Sequence, residues 1–149
     1  AATLFPTLGI AFARNIQDSG TFALDRCLYD WSPTCHMSNM VPFAEQFMAT
    51  TNEPALLYVW GHAYEFEQSA AWGMLETFCE RVAGRKDVWY ATNIEVVDYL
   101  QSARDLVLSA DATLARNPSA LDVWLSVGGR PVRVEAGKTA RLASAAGGR

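Results

Sequence analysis

The stretch that most constrains this chain is 55–67, ALLYVWGHAYEFE. Leu56, Leu57, Tyr58, Val59 and Trp60 are an apolar, aromatic and β-branched run, of the length of a parallel strand covered on both faces. Gly61 then lets the backbone turn sharply and presents His62 at the strand's carboxyl end. In open α/β sheets and α/β barrels, catalytic groups gather at that end. His62 is therefore the first candidate for chemistry. A histidine that caps a strand and bonds a neighbouring backbone group fits the same spacing.

The flanking sequence continues the strand–helix rhythm. Residues 1–8 read as the last turns of a helix stopped by Gly9, and 10–14 (IAFAR) as a short strand ending at Arg14. Residues 15–29 form a long polar loop, of a length that is usually functional inside a compact domain. Pro33 forces an extended approach to a brief strand end at 34–36. Ser38 is the expected N-cap of a helix to about Ala49, with Val41, Ala44, Phe47 and Met48 as its apolar stripe. Ser69 is the expected cap of a stronger helix carrying Trp72, Leu75, Phe78, Cys79 and Val82, which Gly84 ends. Residues 87–91 (DVWYA) read as another short buried strand. Thr92 then caps a helix whose Ile94, Val97, Leu100, Ala103 and Leu106 face inward, with Glu95 in its first turn. This alternation specifies βαβ units around a parallel sheet, an α/β fold. After Leu106 the rhythm changes. LDVWLSV at 121–127, Gly128-Gly129 and PVRVE at 131–135 predict a β-hairpin. Residues 141–149 are small and polar enough to fray.

A chain of 149 residues makes one domain or part of a larger one. With 50% hydrophobic and 11% aromatic residues it can bury a sizeable core. A net charge of −4 argues against nucleic acid, because phosphate binding needs a cationic face. No basic amphipathic helix marks a membrane surface, and the apolar runs fall well short of the roughly 20 residues that span a bilayer. No signal-peptide pattern stands at the start. The absence of an initiator Met suggests a processed, trimmed or fragmentary chain. Cys27, Cys35 and Cys79 are odd in number and lack C-x-x-C spacing, so no disulfide framework is implied and the balance leans cytoplasmic.

Four separated segments carry a resemblance: Pro33-Thr34-Cys35-His36, YVWGHAYEF at 58–66, GRKDVWYATN at 84–93, and NPSALDVW at 117–124. Together they resemble the NodB-type polysaccharide deacetylase family, over the carboxyl-terminal half of its domain, from about Gly9 to Gly137. Members of that family are metal-dependent hydrolases that remove N- or O-acetyl groups from sugars. The fold the resemblance implies is α/β. A partial (β/α) barrel of parallel strands with outer helices would occupy 1–112, and a small antiparallel β-hairpin module 113–149. In the family the metal, usually Zn²⁺, is held by an Asp-His-His set in the amino-terminal half, where a second Asp is the general base. A histidine in a Leu-x-His motif is the general acid. Trp60-Gly61-His62 stands where that motif falls, with Trp60 for the leucine, and the resemblance makes His62 the acid that protonates the leaving group. Asp30, beside Trp31, resembles the Asp/Trp segment that supports this histidine. The chemistry suits the residue: a metal-activated water attacks the acetyl carbonyl, and the departing amine or alkoxide needs a proton near neutral pH. Imidazole, with an ordinary pKa of about 6.5, supplies it, and a carboxylate beside it holds its tautomer.

The departures matter as much. No Asp-Asp pair follows an early strand, no H-S/T-x-x-H/S run exists, and the only histidines are His36 and His62. The family's metal ligands and general base are absent. The resemblance thus implies part of a deacetylase acting on acetylated carbohydrate, inactive alone. Its partner would be the missing amino-terminal half, or a second copy meeting an open sheet edge. The competing reading is a non-catalytic carbohydrate-binding or interaction module derived from that fold.

Other residues keep two readings each. Arg14, ending a strand on the presumed active face, pairs with an acid of the missing half or binds substrate. Trp31 and Trp60 stand where they can stack on a sugar ring, although tryptophans 31, 60, 72, 89 and 124 are placed mostly in the core. Cys35, His36 and His62 are zinc-ligand types, but adjacent Cys35 and His36 point to opposite faces of a strand. In related proteins a second histidine follows His36; here Met37 does. Glu65 and Glu67 make a general-base pair or solvated acids on an extended edge.

Overall fold

Two short β-rich segments separated by one amphipathic helix organise the first half of the chain. A computed structural model describes residues 4–24, 27–50 and 54–142. It divides into two units, Ala1–Tyr90 and Ala91–Arg149.

In the first unit, β1 (Cys35–His36) pairs in parallel with β2 (Val59–Trp60), with Cys35 opposite Val59 and His36 opposite Trp60. The pairing extends backwards through Thr34. Its N–H donates to the Tyr58 carbonyl at 2.7 Å, and its hydroxyl accepts the Tyr58 N–H at 3.0 Å. Parallel strands need a crossover, and α1 (Met40–Ala49) supplies it. Met40 and Ala44 are its buried positions. Gly9 ends a 3₁₀ turn at Pro6–Leu8 in a left-handed conformation, φ 72°, as the sequence suggests. Residues 1–3 of the expected first helix lie outside the described residues.

Several boundaries differ from expectation. Residues 10–14 form no strand. A single parallel bridge joins Arg14 to Trp31, and the chain runs on beside 33–34 through the Ser19 and Gly20 N–H groups. Ser38 is not the helix cap; it lies inside a 3₁₀ turn at Met37–Asn39 whose N-cap is His36. The expected second helix is two: α2 (Ala63–Gln68) and α3 (Trp72–Val82). Ser69 closes α2 by donating its hydroxyl to the Glu65 carbonyl, and Ala70 takes a left-handed φ of 51°, so α3 starts afresh after Ala71. Tyr64–Glu67 are therefore helical, not an extended edge. Residues 87–91 are turn and irregular chain instead of a buried strand. Trp72, Trp89 and Trp124 are 48%, 59% and 54% exposed, whereas Trp31 is buried in the first unit's core with Leu28, Cys35 and Met37. Strand-like composition carried the expectation at 87–91, but among the described residues no neighbouring strand supplies the ladder that composition alone cannot form.

The second unit contains α4 (Asn93–Arg104), opened by a reciprocal Thr92–Glu95 capping box as read from the sequence. Its strands are antiparallel. β3 (Val107–Leu108), β4 (Leu114–Arg116) and β7 (Thr139–Arg141) form one sheet, and β5 (Val123–Val127) and β6 (Arg130–Val134) form the predicted hairpin. Gly128 and Gly129, at φ 57° and 76°, make the turn that both positions in a I′ hairpin require. Ala115, Val134 and Leu142 are buried at its centre. Asn117, fully buried, donates to the Leu121 and Val134 carbonyls and accepts from Ser119, which fixes the corner before β5. Residues 143–149 of the segment expected to fray lie outside the described residues. Parallel pairing among the described residues is confined to the first unit, and no described helix is long and apolar enough to cross a membrane.

Candidate functional site

The register of β1 against β2 sets His36 beside Trp60, and the chain then turns through Gly61 to His62, the N-cap of α2. Gly61 does not take a left-handed φ. Its requirement is space: a Cβ there would stand 2.6 Å from Met37 Cγ and 2.9 Å from its Sδ. The missing side chain lets the strand end pack directly on buried Met37. Met37 thus forms the wall behind the turn.

Three residues beyond His62, one turn into α2, Glu65 folds back over the strand end. Its Oε2 accepts the His62 backbone N–H at 2.6 Å, lies 3.4 Å from His62 Nδ1, and lies 3.3 Å from His36 Nε2. The backbone hydrogen bond from His62 is the main reason the Glu65 carboxyl is held below its ordinary range, and the neighbouring His36 adds to it. His36 Nδ1 accepts the Ser38 N–H at 3.4 Å and stands 3.1 Å from the Ser38 hydroxyl. The neutral ring therefore carries its proton on Nε2, facing Glu65. His62 is the open member, with 51% of its side chain exposed against 26% for His36 and 27% for Glu65.

Asp18, from the long loop, braces the other side of Trp60. Its Oδ1 accepts the Trp60 indole N–H at 2.7 Å, and its Oδ2 accepts the His36 backbone N–H at 3.0 Å. The Arg14 guanidinium lies 4.8 Å from the centre of the Trp60 ring, within cation–π range. The rings of His36 and Trp60 meet edge-on at 5.0 Å, and Tyr64 stacks on His62 at 5.2 Å. Arg14, Trp60 and His62 line an open cleft of about 430 Å³ together with apolar Met37, Phe66 and Phe78.

Arg14, Trp60 and His62, three of the residues singled out in the sequence, thus share one cleft. Asp30 and Trp31 lie elsewhere in the unit. Asp30 is exposed, with its carboxylate accepting from Asn15 Nδ2 at 3.1 Å, and buried Trp31 packs on Tyr58 at 5.0 Å. The carboxylate that meets His62 is Glu65. Asp18 went unnoticed because nothing local in the sequence ties a loop aspartate to a tryptophan 42 positions away. Glu65 had a signal: a carboxylate three residues after a helix-opening polar residue is the capping-box spacing.

Cys35, the first residue of β1, is fully buried, and burial, with Asp18 nearby, pushes its thiol up to about 11. Such a thiol is neither a ready ligand nor a nucleophile. Among the described residues no group of three or more His, Cys, Asp or Glu side chains is arranged to hold a metal ion. The donors present do not fit the metal that the deacetylase resemblance implies. Compared with known proteins, the chain matches no family model, no curated protein and no solved structure.

Proposed function

We propose that this chain is the carboxyl-terminal part of a NodB-type carbohydrate deacetylase, a partial (β/α) barrel followed by a β-hairpin module, in which His62 is the general acid. The observation that carries the reading is His62 itself: half-exposed at the carboxyl end of a parallel strand, Nδ1 against a carboxylate, in the lining of an open cleft. With Nδ1 turned to Glu65, Nε2 is the nitrogen available to a ligand. An imidazolium there gives its Nε2 proton to the amine or alkoxide leaving a tetrahedral intermediate. Trp60, fixed by Asp18 and faced by Arg14, offers a rigid aromatic edge for a sugar. The metal of this family, which would activate the attacking water, has its ligands in the amino-terminal half of the domain. Three cysteines, an odd number without C-x-x-C spacing, support a cytoplasmic setting.

The Arg14–Trp60 pair also favours a second reading, a module that binds acetylated carbohydrate without acting on it. Assaying N-acetylated chito-oligosaccharides with Zn²⁺ or Co²⁺ separates the two, using this chain alone and this chain mixed with an amino-terminal half of a family member. Deacetylation in the mixture only is the expected result. Sugar binding with no turnover in either assay would leave the binding module, and turnover by the chain alone would refute the division of the site.

A further inference from the structure

One oxygen of Glu65 addresses both histidines of the chain. Oε2 stands 3.3 Å from His36 Nε2 and 3.4 Å from His62 Nδ1 while accepting the His62 N–H at 2.6 Å. We propose that Glu65 is the positioning residue of this cleft, and that it joins His36 and His62 into a single protonation unit. Its role in catalysis rests on His62 being the acid; the coupling of the two rings does not.

The hydrogen bonds fix which nitrogen does what. Ser38 occupies His36 Nδ1, so the His36 proton sits on Nε2 and points at Glu65. His62 directs Nδ1 at the same oxygen, which leaves its Nε2 for the cleft. The two rings therefore compete for one negative charge. A proton added to either ring is matched by the carboxylate, and the second proton meets a carboxylate already engaged. The other charged and titratable groups are directed elsewhere: Asp18 bonds Trp60 and the His36 backbone, Arg14 covers Trp60, and Tyr64 stacks on the His62 ring. In the proposed reaction the Nε2–H bond of His62 breaks as the leaving nitrogen or oxygen gains that proton. His62 is left as the neutral Nδ1–H tautomer held by Glu65, and water restores the proton at Nε2.

A purely structural glutamate, capping α2, is the alternative, and Glu65→Gln distinguishes them. Glutamine retains a carbonyl oxygen for the His62 N–H and serves the capping position equally well, but it carries no charge to share. The experiment is a ¹⁵N imidazole NMR titration of the full chain, of Glu65→Gln and of His36→Gln, with backbone amide shifts reporting that the fold is kept. In the unsubstituted chain each ring should respond twice, once in its own step and once in its neighbour's. Both variants should reduce the His62 curve to one step. A His62 curve that neither substitution alters would overturn the proposal. Coupling observed in a chain that never supports deacetylation would leave this inference standing and remove the enzymatic reading instead.

Discussion

At the scale of single residues, the strand end works because Gly61 is small and Glu65 is charged. Backbone and buried thioether touch at Gly61, so a methyl group there must displace Met37, itself 4% exposed, and not merely occupy solvent. Overpacking of this kind costs about 1–3 kcal/mol. Gly61→Ala is therefore expected to lower Tm, and pairing it with Met37→Ala should recover part of the loss. A Gly61→Ala chain as stable as the original would mean that Met37 moves aside freely. The sequence revealed His62, Trp60 and Arg14 through their position after apolar runs, a local signal. It pointed to Asp30 as the supporting acid because of its neighbour Trp31. The geometry gives that contact to Glu65, which the helical turn of α2 swings back over its own N-cap, and which is invisible if 64–67 is taken as extended chain.

At the scale of elements, the legible pieces were those with self-contained signals. The Thr92–Glu95 box, the Gly128-Gly129 turn and the stop at Gly9 each depend on residues within a few positions of one another. The strands expected at 10–14 and 87–91 did not form, since a strand is defined by a neighbour that composition cannot name. The split between α2 and α3 was equally hidden, for it turns on Ala70 adopting a positive φ that alanine rarely takes. In α4 the Thr92 hydroxyl accepts the Glu95 N–H, and the Glu95 carboxylate accepts the Thr92 N–H at 2.7 Å. Thr92→Ala removes one half of this exchange and should cost about 1 kcal/mol in denaturant unfolding. Thr92→Ser should restore it. No difference between alanine and threonine would show that the cap contributes nothing to α4.

At the scale of the whole chain, Glu65, Asp87, Glu95, Asp111 and Asp122 are all held below the ordinary carboxylate range by hydrogen bonds to backbone or side-chain donors. A carboxylate depressed on folding contributes stability above its unfolded value, and loses it as pH falls through the folded one. These five therefore leave Tm level between about pH 6 and 8 and lower it once pH drops below roughly 4. A Tm that holds steady through that acid range would show that their hydrogen bonds do not persist in solution.

If His62 supplies the proton to the leaving group of the proposed reaction, the cost of removing it must depend on that leaving group. With the chain mixed with an amino-terminal half of a NodB-type deacetylase, kcat is measured for His62→Ala on an N-acetyl sugar, whose amine must be protonated to depart. It is measured again on an aryl acetate, whose phenolate departs unaided. A loss of about 10²–10⁴-fold on the sugar with little change on the ester is expected. Equal losses on both, or no loss on the sugar, would remove His62 from the role of acid.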